Sequence, residues 1–448
     1  MISVGHDSRI SAERIKSDVI DALSFFGLEI KDCALASTPA MFMTTKMLGC
    51  DGAVQITASH HPWDRNGLKF FTPDGGLSGD EIKSILEYAE EHESGSCPER
   101  LNLQEVDFMS VYCEHLCNMI RKGVKSDDYE RPLKGLKIVV DAGNGVGGFY
   151  AEKVLSPLGA DTTGSRYLEP DGMFPNHIPN PENETAMNSV REATLGAKAD
   201  LGVIFDTDVD RGGCVSSDGR EINRNALVAL AAVIALESNP GGTVVTDSVT
   251  SAGLTEFIEK TLGGHHLRFK RGYKNVIDEA IRLEKNGINT PLAIETSGHA
   301  AFRENYYLDD GAYLITKIII KAADMKKQGK KLYDLISELK YPAEEKEIRL
   351  KITEEDFRAV GDRLLEELAD FAAKREDWQI APDSHEGIKI IFPKTESFFI
   401  LRQSVHDPVI PINFESAQNG GVKKAANSLY EFIKDFDGVD ISPLKQIL

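Results

Sequence analysis

The spacing of apolar and polar positions divides the chain into alternating short runs and longer stretches. Residues 11–26 read as an amphipathic helix, and residues 78–94 as another that opens on Ser-Gly-Asp-Glu. A third helical stretch, 103–122, leads into the polar linker Lys125-Ser-Asp-Asp-Tyr-Glu-Arg-Pro132. Buried strands are expected at Leu136-Lys-Ile-Val-Val-Asp141, Leu201-Gly-Val-Ile-Phe205, Thr243-Val-Val-Thr246 and Pro291-Leu-Ala-Ile294, and a long helix over 311–327. From about Tyr341 the pattern changes. Glu347-Ile-Arg-Leu-Lys-Ile352 alternates like a half-buried strand, 354–375 is helical, and Ile388-Lys-Ile-Ile-Phe392 with Phe398-Phe-Ile-Leu401 reads as a strand pair. Alternating strands and helices, with no repeat of solenoid length, predict α/β architecture with a small α+β domain at the end. The linker and Glu237-Ser-Asn-Pro-Gly-Gly242 suggest four domains, at 1–126, 132–238, 239–340 and 341–448.

Length agrees with several domains, since 448 residues exceed one hydrophobic core. The formal charge of −20 repels nucleic acid and anionic membrane, so neither is an expected partner. It repels sugar phosphates too, so a phosphate site must carry its own cations. Six scattered cysteines without a C-x-x-C pair fit a reducing compartment. No apolar run is long enough to span a membrane, and the start lacks the basic and apolar regions of a signal peptide. A cytoplasmic protein, monomeric or homodimeric, is the expectation.

Four segments carry chemistry. Thr57-Ala-Ser-His-His-Pro-Trp-Asp-Arg-Asn-Gly-Leu-Lys69 reads as a loop exposing the hydroxyl of Ser59, with His and Lys nearby to screen an added phosphate. Gly-x-Ser-x-Gly is absent around it, against a Ser-His-Asp hydrolase. Asp206-Thr-Asp-Val-Asp-Arg211 follows a strand, and its carboxylates at i, i+2 and i+4 would share one side of an extended segment. Three such hard ligands favour Mg²⁺ or Ca²⁺. An EF-hand is excluded because Arg211 takes its glycine position and Ser217 its bidentate glutamate position. In Ile294-Glu-Thr-Ser-Gly-His299, Glu295 and Ser297 suit vicinal sugar hydroxyls and His299 a proton shuttle. In Leu401-Arg-Gln-Ser-Val-His-Asp-Pro408, Arg402 offers a planar fork for phosphate, with Ser404 and His406 as further donors. Each segment alone is also compatible with an ordinary turn. Gly143-Asn-Gly-Val-Gly-Gly148 fits G-x-G-x-x-G, with Asp161 or Glu169 as a ribose acid, but reads better as a tight strand-to-helix turn. No P-loop motif is present.

Taken in order, the four segments resemble the α-D-phosphohexomutase superfamily, in particular its phosphomannomutase/phosphoglucomutase members. The resemblance implies three similar α/β domains plus a C-terminal α+β domain around a central cleft. It implies an enzyme interconverting hexose 1-phosphate and hexose 6-phosphate through phosphoserine 59 and a bisphosphorylated sugar. Ser59, Lys69, Arg211 and His299 would be catalytic. Ser59, Asp206, Asp208 and Asp210 would hold Mg²⁺, and Glu295, Ser297, Arg402, Ser404 and His406 would bind substrate, with hexose 1,6-bisphosphate as activator. A phosphoglucosamine mutase, a metal-dependent sugar phosphatase and a non-catalytic sugar-phosphate-binding protein are the competing readings. Two departures stand out. Relatives open with a strand and an Arg-Gly loop ahead of the segment matched by Val4-Gly-His-Asp-Ser-Arg9, so an unpaired sheet edge is expected here. Val405-His-Asp407 stands where many relatives have Gly- or Asn-Thr-Glu, which would make His406 a phosphate ligand whose charge depends on pH.

Overall fold

A computed structural model describes residues 1–92, 100, 102–382, 384–404 and 407–448. The chain divides into two compact units, residues 1–242 with 280–337, and residues 243–279 with 338–448.

In the first unit, the opening strand Ile2–His6 is paired on both sides. It runs parallel to Ile30–Leu35 and to Gly52–Ile56, with Leu103–Glu105 added beyond the former and Leu68–Thr72 and Gly75–Gly76 beyond the latter. The expected unpaired edge at the start of the chain is therefore corrected: Ile2–His6 lies inside a six-stranded sheet, and Val4 is fully buried with Ile20, Ile30 and Ile56. Residues 103–105 are also a strand and not the first turn of a helix. The helix is Phe108–Val124, and it starts where the Asp107 side chain accepts the Ser110 N–H. Ser78 caps Gly79–Glu91 with a reciprocal capping box through Glu81.

The second sheet of this unit pairs Ile138–Asp141 parallel to Leu201–Phe205, then Gly212–Ser216 and Glu221–Ile222 antiparallel. Leu201–Phe205 is buried throughout, as a continuous apolar run demands. The glycine-rich turn after Asp141 is a packing device. A side chain at Gly148 would place its Cβ 2.1 Å from the Leu168 carbonyl oxygen. Ala300–Phe302 pairs antiparallel with Leu292–Ile294 ahead of the helix Gly311–Lys327.

The second unit pairs Thr243–Asp247 parallel to His265–Phe269. Its six-stranded antiparallel sheet has the order 379–380, 388–392, 397–401, 409–416, 344–352, 439–440. The helices Phe357–Ala373 and Gly421–Ile433 supply Leu364, Leu368 and Leu429 to a core with Leu350, Phe399 and Phe414. Truncating a side chain as buried as Phe399 costs about 3–5 kcal/mol. Cys33, Cys50, Cys113, Cys117 and Cys214 are free thiols, and Cys97 lies outside the described residues. No helix among the described residues is long and apolar enough to cross a membrane.

Candidate active site

In the first unit the chemistry-bearing segments all begin where a strand ends. Asp7 follows Ile2–His6, Thr57 follows Gly52–Ile56, Asp206 follows Leu201–Phe205 and Glu295 follows Leu292–Ile294. Loops beyond the carboxyl ends of parallel strands are where α/β sheets bind ligands.

The Asp206–Asp210 segment is a turn, not the extended run expected from sequence. Val209 has a positive φ of 67°, and the backbone closes on itself through Asp206 N–H to Arg211 O at 3.4 Å. The three carboxylates converge all the same. One oxygen of each lies within 4.8 Å of the others, and all three side chains are buried. Lys69, on the strand Leu68–Thr72, places its Nζ 2.8 Å from Asp208 Oδ2 and 2.5 Å from Asp210 Oδ2. Thr38, at the start of the helix Thr38–Met47, donates its hydroxyl to Asp208 Oδ2 and its N–H to the Asp208 carbonyl at 2.9 Å. A carboxylate at a helix N-terminus is favourably placed.

Electrostatics divides the aspartates. Burial, then the charges of Asp210 and Asp208, push Asp206 well above the usual carboxylate range. Burial also acts on Asp210, but Lys69, His299 and Arg211 outweigh it and hold this carboxyl low. Among the described residues, Asp208 Oδ1 and Asp210 Oδ1 are buried without a hydrogen-bond partner. Converging hard oxygens, two orphaned acceptors and one carboxyl driven toward its neutral form together fit a divalent cation.

Ser59 meets this cluster. Its Oγ lies 3.3 Å from Asp206 Oδ2 and 3.2 Å from His60 Nδ1. Burial, then Arg211, lowers the His60 imidazole to about 3, so it is neutral at physiological pH. The Glu295–His299 turn joins the aspartate loop through Gly212 N–H to Gly298 O at 3.4 Å. His299 Nδ1 lies 2.5 Å from Asp309 Oδ2, and its Nε2 accepts from Arg211 Nε at 2.8 Å. Both ring nitrogens are thus engaged: His299 orients Arg211, with Asp309 fixing the tautomer. Glu295 and Ser297 are buried beside it, and the Ser297 hydroxyl reaches Glu295 Oε2 at 3.4 Å.

Arg402 and Ser404 lie in the second unit. Arg402 is buried, with Nη2 donating to Asn413 Oδ1 at 2.9 Å, Nη1 3.6 Å from Glu386 Oε1, and Nε without a partner among the described residues. The Ser404 Oγ accepts the Asp407 N–H at 3.1 Å, and its own N–H bonds the Val409 carbonyl. His406 lies outside the described residues. Sequence reasoning missed Thr38 and Asp309 as parts of the site. Their signals are faint: a hydroxyl at a helix start, and an acidic pair ahead of the helix Gly311–Lys327.

Known proteins resemble this chain over nearly its whole length. Residues 1–95, 110–219 and 223–341 match the sequence families described as phosphoglucomutase/phosphomannomutase, alpha/beta/alpha domains I, II and III. The phosphoglucomutase/phosphomannomutase of Thermococcus kodakarensis is 32% identical over 419 residues, 93% of this chain and 86% of its own length. The chain belongs to the phosphoglucomutase/phosphomannomutase family. A Neisseria gonorrhoeae phosphoglucomutase is 29% identical over 430 residues, covering 95% of this chain and 87% of that protein. A crystal structure of a phosphoglucomutase/phosphomannomutase family protein from Burkholderia thailandensis superposes with a TM-score of 0.80 at 25% identity, over 97% of this chain and 88% of that one. With this family come its α/β/α domains and its class of activity, a phosphohexomutase acting as a phosphotransferase isomerase.

Proposed function

We propose that this phosphohexomutase interconverts hexose 1-phosphate and hexose 6-phosphate, of glucose and mannose, by passing phosphate through Ser59. The observation that carries the reading is Ser59 Oγ, 3.3 Å from a buried carboxylate of the Asp206–Asp208–Asp210 cluster. A nucleophile placed against a charge-compensating centre suits phosphoryl transfer, where positioning and electrostatics do most of the work.

In the first half-reaction the hydroxyl oxygen of the bound monophosphate bonds to phosphorus as the bond from phosphorus to Ser59 Oγ breaks. The hydroxyl loses a proton and Ser59 Oγ gains one. Lys69 is the group for that exchange, giving a proton to Oγ and recovering one from the sugar. The product is a hexose 1,6-bisphosphate, which also serves as activator. After it turns around, its other phosphate returns to Ser59 by the reverse exchange. Arg211, held by His299 and Glu182, faces the transferring group. Glu295 and Ser297 grip sugar hydroxyls, and Arg402 with Ser404 and His406 holds the phosphate that is not reacting. Four domains, 1–126, 132–238, 239–340 and 341–448, each contribute one of these segments.

Asp206, Asp208 and Asp210, with an oxygen of phosphorylated Ser59, would hold Mg²⁺. When bound, the ion neutralises charge on the phosphoryl group.

The test is turnover of glucose, mannose and glucosamine 1-phosphates with bisphosphate supplied, for the parent and for Ser59→Ala. The expected result is 6-phosphate product from glucose and mannose, lost in Ser59→Ala with substrate affinity retained. Release of free phosphate would instead make the enzyme a phosphatase, and preference for the amino sugar a phosphoglucosamine mutase.

A further inference from the structure

Arg9 has no part in the chemistry above, yet every N–H of its side chain has an acceptor. Its side chain is fully buried. Nη1 donates to the carbonyls of Pro62 at 2.5 Å and Arg65 at 3.0 Å, Nη2 to those of Ser59 at 2.5 Å and His61 at 2.7 Å. Nε donates to Asp7 Oδ2 at 3.1 Å, so all five N–H groups of the guanidinium are used. Four of them fall on carbonyls of the one loop that carries Ser59.

Asp7 completes the frame. Its Oδ1 accepts the Arg9 N–H at 3.0 Å, and its Oδ2 accepts the Thr57 hydroxyl at 2.8 Å. The Thr57 Oγ1 in turn accepts the N–H of Ser59 at 2.9 Å. Ser59 is thereby gripped at both its N–H and its C=O, with a φ of 51° in the left-handed region that is uncommon for residues other than glycine. From the far side, Gly172 packs so closely that a Cβ there would lie 2.8 Å from the Arg9 Cα, and the Phe174 ring covers the guanidinium at 5.3 Å.

We infer that Arg9, acting through Asp7 and Thr57, is a positioning residue that fixes Ser59 in the left-handed backbone conformation from which its Oγ meets Asp206. Without it the four carbonyls lose their common donor, and the loop relaxes toward conformations that aim Oγ elsewhere. Lysine cannot substitute, since one ammonium has three donors and no fork with which to span four carbonyls. The inference rests on Ser59 being the phosphate carrier.

The experiment compares the parent, Arg9→Lys and Thr57→Val for kcat, KM, melting temperature and phosphate on Ser59 after incubation with glucose 1,6-bisphosphate. A misplacement of about an ångström at the reacting atom costs roughly 100-fold. Arg9→Lys is therefore expected to lose about that factor in kcat per folded molecule, with KM for glucose 1-phosphate within about twofold and phosphorylation of Ser59 slowed in parallel. Thr57→Val, which removes only the strut between Asp7 and the Ser59 N–H, is expected to move kcat the same way by a smaller factor, and Thr57→Ser to restore it. It keeps the test decisive if Arg9→Lys does not fold. A lowered melting temperature with unchanged kcat and phosphorylation in the folded variants would overturn the inference and leave a structural staple. Full turnover by Ser59→Ala would instead sink the phosphoserine reading itself.

Discussion

The Lys69 ammonium lies 2.5 Å from Asp210 Oδ2, within the group of oxygens that a metal ion would use. The two cations compete for the same carboxylates, so Lys69→Met removes the competitor. Mg²⁺ binding by calorimetry is expected to tighten by about tenfold, ~1.4 kcal/mol. Turnover is expected to fall because the proton exchange at Ser59 Oγ is lost. Equal or weaker metal binding in the variant would separate Lys69 from the metal site.

Asp208→Asn keeps the side-chain shape and the contact with Thr38 while removing one of three negative charges. Mg²⁺ affinity and turnover are both expected to fall at least about tenfold. An unchanged calorimetric isotherm would reduce the three aspartates to a turn.

His177 gives a pH prediction away from the site. Its Nε2 lies 2.9 Å from Asp141 Oδ1 and its Nδ1 3.0 Å from the Ile178 carbonyl, so both ring nitrogens face acceptors and the doubly protonated ring satisfies both. Burial works against that charge, but the hydrogen bond and charge of Asp141 outweigh it and raise the imidazole above its ordinary value. A group whose folded value is raised stabilises most below its unfolded value, about 6.5, and loses that contribution as pH rises through the folded one. His177→Gln is therefore expected to cost more stability at pH 6 than at pH 8.5, measured by urea unfolding. A cost that grows with pH would contradict a charged His177.

Much of this could be read from the residues, for physical reasons. The continuous apolar run 201–205 marked a buried strand, and three aspartates directly after it marked where charge must be compensated. Ser59 stood out because of the His, Asn-Gly and Lys around it. Arg9 could not be read, because its role is to bind backbone carbonyls, which every residue carries and no sequence pattern displays. Asp309 was obscured likewise: its tie to His299 depends on a short antiparallel return between 292–294 and 300–302. The strand at 103–105 was lost in a longer apolar stretch, since three residues are too few to show a period of two.

Arg402→Ala tests whether this segment of the second unit binds phosphate. Among the described residues the Nε of this buried guanidinium has no acceptor, which leaves a donor for an anion. KM is expected to rise for both 1- and 6-phosphosugars, with a loss of about 1.5–3 kcal/mol, more than roughly tenfold in kcat/KM. A variant matching the parent on both substrates would remove Arg402 from substrate binding.

The most direct measurement is the intact mass of the chain before and after incubation with glucose 1,6-bisphosphate and Mg²⁺, followed by addition of glucose 1-phosphate in excess. Phosphorylation of Ser59 adds about 80 Da. The account predicts that mass gain in the parent, its absence in Ser59→Ala, and its transfer to sugar when the monophosphate arrives. A parent chain that turns substrate over while never carrying the added mass, or a gain that persists in Ser59→Ala, would contradict it.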